Sequence, residues 1–129
     1  MAKLIANKLA PKSSIKKVAV IGAGTMGAGI AGQVANAGVE VWLLDLPSKT
    51  DSINALAERG FKRLQNLNSP GLMSNDAGQL IHCGNTTDDF EQLADCDWIA
   101  EAVVERLDIK QALYRRIEAI TGPQTIVTS

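Results

Sequence analysis

The chain has 129 residues, of which 46% are hydrophobic and 21% charged, with a net charge of −1. That describes one globular domain, long enough to bury a core without a disulfide or metal staple. The near-neutral balance argues against a nucleic-acid footprint, and no apolar run approaches the roughly 20 residues a membrane-spanning helix needs.

Residues 1–15 carry Lys3, Lys8 and Lys12 around Pro11 and read as a ragged leader. The run Leu4-Ile5-Ala6 is too short for a signal-peptide core, so a cytoplasmic location is expected by default. Val18-Ala19-Val20-Ile21 is a continuous apolar run and predicts a strand buried on both faces. Met26, Ile30 and Val34 then recur every four residues over Thr25 to Ala37, a helix that Gly38 stops. A second strand follows over Val39 to Asp45. Ile53, Leu56, Ala57, Phe61, Leu64 and Leu67 form one helical stripe over Asp51 to Leu67, closed by Ser69-Pro70-Gly71. Leu72 to Gly78 reads as an irregular insert. A weaker third strand is expected over Gln79 to Cys83, a short helix over Asp88 to Ala94, and a fourth strand over Trp98 to Val104. Ile109, Leu113, Ile117 and Ile120 mark a further helix, and Thr125 to Thr128 begin a fifth strand. Cys83 and Cys96 lack metal-ligand spacing and read as free thiols.

The segment Gly22-Ala23-Gly24-Thr25-Met26-Gly27 is a GxGxxG loop between a buried strand and a helix. Glycines are common, and the flanking elements give the motif its weight. Gly22 permits the tight turn, Gly24 lets a pyrophosphate approach the backbone, and Gly27 lets the helix pack on the strand. The helix start offers N–H groups and partial positive charge to phosphates. Asp45 ends the second strand, roughly 20 residues beyond the loop, where a carboxylate accepts hydrogen bonds from an adenosine ribose and repels a 2′-phosphate. Leu46, Pro47 and Ser48 follow it with no cation, which favours NAD over NADP; Leu46 is counted with Asp45 among the cofactor-binding residues.

The strand-and-loop stretch KKVAVIGAGTMGAGIA, the strand end LLD and above all the block DWIAEAVVERLDIKQALYRRI resemble the NAD domain of 3-hydroxyacyl-CoA dehydrogenases. Those enzymes oxidise the 3-hydroxyl of an acyl-CoA in fatty-acid β-oxidation. The resemblance runs from Lys16 to Ser129. The insert GLMSNDAGQLIHCGN is similar to a subgroup of long bacterial enzymes in which a hydratase-like module follows the dehydrogenase. By position, the resemblance implies that Glu105 contacts the nicotinamide side of NAD and that Lys110 is an NAD-binding lysine. It also implies that the backbone of Ala102 and Val103 runs along the ribose and nicotinamide. It further implies a 3-hydroxyacyl-CoA as the substrate of the whole enzyme. It places the proton-abstracting histidine and its glutamate partner beyond the fifth strand. His82 is the only histidine and matches neither position, so no catalytic residue is assigned. Lys62 and Arg63 lie near the family's coenzyme A region without matching its pattern, and Glu101, an acid inside a strand pattern, receives no role.

The expected fold is α/β, a Rossmann-type doubly wound, mostly parallel sheet of order 3-2-1-4-5, truncated after the fifth strand. Residues 16–129 form the NAD-binding domain, with the catalytic histidine region and the C-terminal helical domain absent. A dehydrogenase of another hydroxy acid and a non-catalytic NAD(H)-sensing module stand as alternatives. A β-branched edge at Thr125 to Thr128 either pairs with another copy, giving a homo-oligomer, or frays.

Overall fold

The computed structural model describes residues 15–65, 75–103 and 107–129. Nearly all of the leader, and the Ser69-Pro70-Gly71 stop with Leu67, lie outside the described residues. Five parallel strands form one sheet: β1 (Lys17–Ile21), β2 (Glu40–Asp45), β3 (Ile81–Asn85), β4 (Trp98–Glu101) and β5 (Ile126–Thr128). Their order is β3-β2-β1-β4-β5, as expected. The described helices are α1 (Thr25–Asn36), α2 (Ala55–Gln65), the single-turn α3 (Asn75–Gly78) and α4 (Leu107–Ile120), with a 3₁₀ helix over Phe90–Asp95.

β1 sits at the centre because its residues supply both faces of the sheet. Val18 and Val20 join Val41 and Leu43 in a core closed by Ala28, Ala31 and Ala35 of α1 and by Ala57 and Leu64 of α2. Ala19 and Ile21 join Leu44 and Ile99 in a second core closed by Phe90, Leu93, Leu113 and Ile117. This is why Val18 to Ile21 shows no polar alternation: neither face of the strand meets water.

Several element boundaries differ from the sequence expectation. α1 turns Gly27, Ala28, Ala31, Gly32 and Ala35 inward, while Met26 is 73% exposed. The small residues form the centre of the packing face, since they let the helix axis approach the sheet, and Ile30 and Val34 pack partly buried against the same core, so only Met26 of that row is turned out. β3 begins two residues later than Gln79, because Gln79 and Leu80 donate to Asp76 and Ala77 carbonyls in the turn that ends α3. It runs on through Gly84 and Asn85, which pair with Leu44 and Asp45. β4 stops at Glu101, short of Val104, and α2 starts at Ala55, leaving Ile53 exposed before it. Only the part of the Leu72 to Gly78 insert from Asn75 onward is described, and it is helical.

The junction between β1 and α1 is the tightest contact in the fold. A Cβ on Gly27 would collide with the carbonyl oxygen of Gly22, whereas a Cβ on Gly29, two residues along the same helix, would meet nothing within 4 Å. Gly27→Ala is therefore expected to destabilise the chain by about 1–3 kcal/mol. Gly29→Ala is expected to stabilise it by about 0.5–1 kcal/mol, by lowering the entropy of the unfolded chain at a helical position. Urea unfolding of the two variants checks both signs; equal midpoints would show that the junction is not tight.

Candidate functional site

The carboxyl ends of β2, β1 and β4 lie side by side, and the glycine loop leaves the sheet between them. Gly22 takes φ of +106°, a conformation that side chains rarely adopt. A Cβ there would also lie 2.6 Å from the Ala102 carbonyl oxygen. Gly22 N–H donates to Leu44 O at 2.7 Å, and Ala102 N–H donates to Ile21 O at 2.8 Å. The turn is thus bonded to β2 on one flank and to the end of β4 on the other.

Gly24 behaves differently. Its φ of −68° and ψ of −171° suit any residue, and a Cβ on it would meet no protein atom within 4 Å. No fold requirement holds a glycine at this position. Gly24 caps α1 with no side-chain hydrogen bond, and Ala28 N–H makes the first bond inside the helix, to Gly24 O at 2.9 Å. The preceding turn of N–H groups has no intrahelical acceptor, and Gly24, Thr25 and Met26 are exposed beside it. Ala23 is buried under the loop.

Asp45 binds the loop from the side. Its Oδ2 accepts from Ala23 N–H at 2.8 Å and its Oδ1 from Leu46 N–H at 2.7 Å. Each carboxylate oxygen keeps a further acceptor position toward the solvent side. Asp45 also edges a cleft of about 220 Å³ whose apolar wall includes Ile21, Leu46, Val103 and Ile109. Thr86 and Arg116 line it as well. Arg116 is pinned there, donating to Thr86 O at 2.8 Å with its guanidinium 3.9 Å over the Phe90 ring.

Glu101 ends β4 with a fully buried side chain. Its Oε2 accepts from Val103 N–H at 2.6 Å, and its Oε1 from the Ser129 hydroxyl at 3.1 Å and the Tyr114 hydroxyl at 3.4 Å. Lys110 Nζ stands 3.5 Å from the same Oε1. The structure thus brings Ala102, Val103 and Lys110 together around an acid that sequence reasoning had left without a role.

Residues 17–129 match the model of the 3-hydroxyacyl-CoA dehydrogenase NAD-binding domain. The chain belongs to that family. A probable 3-hydroxyacyl-CoA dehydrogenase of Deinococcus radiodurans is 47% identical over 117 residues, covering 89% of this chain and 34% of the relative. A putative fatty acid oxidation complex trifunctional enzyme of Rickettsia felis is 38% identical over 119 residues, covering 92% of this chain and 16% of the relative. The solved 3-hydroxybutyryl-CoA dehydrogenase of Escherichia coli superposes with a TM-score of 0.70 at 30% identity, over 89% of this chain and 24% of that one. The chain therefore spans about a third or less of each of these relatives, all of which are longer than it.

Within this dehydrogenase family domain, the remaining expected residues fall as follows. Glu105 lies outside the described residues. His82 is the second residue of β3, toward the amino ends of the strands and away from the glycine loop. It pairs with Glu40 at 3.2 Å, and its ring centroid is 4.9 Å from that of Trp42. Lys62 and Arg63 lie on the exposed side of α2. Thr86, Ile109 and Arg116 entered no sequence expectation for the site. Ile109 had served only to mark the helix; it is 46% exposed and lines the cleft. Nothing in the local sequence marks Thr86 or Arg116, which are brought together where α4 packs against the 3₁₀ helix that follows β3.

No helix among the described residues is long and apolar enough to cross a membrane. Both cysteines are free. Burial pushes the Cys83 thiol up to about 11, with Glu58 adding to the shift, and burial pushes the Cys96 thiol up to about 12. Both stay protonated near neutrality, so neither offers a nucleophilic thiolate. At pH 8 the native chain is expected to react with iodoacetamide far more slowly than the urea-unfolded chain, and the native rate should climb only as the pH nears the raised pKa values. Rapid native labelling at pH 8 would contradict this burial.

Proposed function

We propose that this domain holds NAD for the oxidation of a 3-hydroxyacyl-CoA to the 3-oxoacyl-CoA. The observation that carries the reading is Gly24: a position where the fold has room for a side chain, beside an open helix start and next to the Asp45 carboxylate. A ligand that approaches the backbone there explains the glycine. In this reading the pyrophosphate lies over Gly22, Ala23, Gly24, Thr25, Met26 and Gly27, drawn by the N–H groups and dipole of α1. Asp45 accepts from the adenosine ribose hydroxyls, and Leu46 lies against the adenosine. Ala102, Val103, Glu105 and Lys110 serve the nicotinamide half.

When bound, NAD supplies the acceptor for the hydride that leaves the hydroxyl-bearing carbon. The chain's own task is to bind and orient: Asp45 selects the ribose, and the loop fixes the phosphates. Residues 16–129 act as the cofactor domain, with the proton-transferring group supplied from elsewhere in a longer protein, as the partial coverage of the relatives supports. A cytoplasmic location belongs to the same reading, although one relative is named as a peroxisomal multifunctional protein. Self-association through β5, the outermost of the described strands, is a further part of it, for a β-branched edge is a template for another strand. Light scattering of the chain and of Val127→Pro tests that part, with monomeric wild type at high concentration counting against it.

Calorimetric titration tests the cofactor reading. NADH should bind well ahead of NADPH, because a 2′-phosphate would face the Asp45 carboxylate; equal affinities would defeat the assignment. Asp45→Ala should weaken NADH binding by about 1.5–3 kcal/mol, the cost of losing charge-assisted hydrogen bonds, and narrow the preference. Gly24→Val should abolish NADH binding while leaving the thermal midpoint within a few degrees. Normal binding by that variant would place the pyrophosphate elsewhere.

A further inference from the structure

Glu101 is the only charged residue buried among the described residues, at 4% exposure. A carboxylate taken out of water is costly unless donors surround it. Ile99 and Ala100, which precede it in β4, already fill the sheet with apolar side chains. An acid is therefore not needed to pack the strand, and its partners show what it does instead. They come from three separate elements: Val103 from the segment leaving β4, Lys110 and Tyr114 from α4, and Ser129 from the end of β5. The shortest bond, 2.6 Å, goes to the Val103 amide. Val103 in turn lines the cleft, and its neighbour Ala102 presents the carbonyl that closes on Gly22.

We propose that Glu101 is a positioning residue, which holds the Ala102-Val103 segment and the Lys110 ammonium as a fixed wall on the β4–β5 side of the cleft. The proposal rests on the cofactor reading above, in which that side receives the nicotinamide half of NAD. β4 and β5 lie on the opposite side of β1 from Asp45, so a dinucleotide anchored by Asp45 and crossing the loop arrives at the wall that Glu101 builds. Losing the carboxylate weakens the hold on the Val103 amide and takes from the Lys110 ammonium its acidic neighbour, while its contact to the Ser129 hydroxyl at 3.5 Å remains. Asp45 bonds to Ala23 and Leu46 rather than to this cluster, so the adenosine side keeps its own anchor.

The two halves of the ligand can be read separately. The 129-residue chain and its Glu101→Gln and Tyr114→Phe/Ser129→Ala variants are titrated with NADH and with ADP, and Val103 amide exchange is followed by NMR. Glu101→Gln is expected to weaken NADH by about tenfold, the scale of one charge-assisted hydrogen bond, with ADP affinity within about twofold of wild type. Its Val103 amide should exchange faster. The hydroxyl-deleted variant keeps the acid and its bond to Val103, and should show a smaller loss with the same split. Unchanged NADH affinity in Glu101→Gln overturns the proposal. So does a parallel loss of NADH and ADP in both variants, which would mean a purely structural role. A wild-type chain that binds ADP but gains nothing from the nicotinamide half overturns it as well. A wild-type chain that binds neither ligand overturns the cofactor reading itself.

Discussion

The structure depends on how closely the chain passes itself at Gly22. On one side the Gly22 carbonyl sits where a Cβ of Gly27 would be, and on the other its own missing Cβ leaves room for the Ala102 carbonyl. Two backbone segments and a helix start therefore converge on one residue with a positive φ. From this follow the close seating of α1 on the sheet and the junction of β1 with β4. The position of the helix dipole at the carboxyl end of the central strand follows too. The small inward face of α1, built from alanine and glycine, extends the same close approach along the helix. A side chain at Gly27 would push the helix start away from the loop.

On either side of β1, the neighbouring strand ends in an acid. Ile21 is in register with Leu44, one residue before Asp45, and with Glu101. The two carboxylates do related work on the backbone: Asp45 accepts from Ala23 N–H, and Glu101 accepts from Val103 N–H. Their solvent access separates them. Asp45 is partly exposed at the mouth of the cleft and has acceptor capacity left for a ligand, whereas Glu101 is sealed and spends its capacity on protein donors. One acid is placed to meet a ligand, the other to hold the wall beside it.

The fold was legible because its signals are local. A buried run before a glycine loop, a helix, and a second run ending in Asp45 define the βαβ unit, and the sheet order follows from how such units wind. Errors arose where local signals conflict with partners far away in sequence. Gly84 and Asn85 look like turn residues, yet they extend β3, because Leu44 and Asp45 offer ladder partners and the Asn85 side chain donates to Asn54 and accepts from Thr87 N–H and Asp88 N–H. Glu101 looked out of place in an apolar strand, and no window of sequence contains the Tyr114 and Ser129 hydroxyls that satisfy it. The loop and Asp45 were readable because their chemistry is set by backbone shape. The role of Glu101 was not readable, because it is set by convergence.

The large apolar side chains left exposed give a last physical argument. Among the described residues these are Met26, Leu46, Ile53 and Ile109. Single exposed apolar residues are ordinary and need no cause. Leu46 and Ile109, however, come from different ends of the sequence and line the same cleft, which Asp45 edges. Each sits on a stable element or just beyond one, so their exposure does not come from fraying. A flat apolar ring slid between them would remove surface from water on both faces, at about 25 cal/mol for each Å² covered. In the proposed reading the adenine of NAD is the ring that meets Leu46. Its attached ribose is then held at Asp45, so burial supplies affinity and the carboxylate supplies selection. The apolar wall cannot distinguish a cofactor with a 2′-phosphate from one without, and that discrimination falls to the single charge at the end of β2.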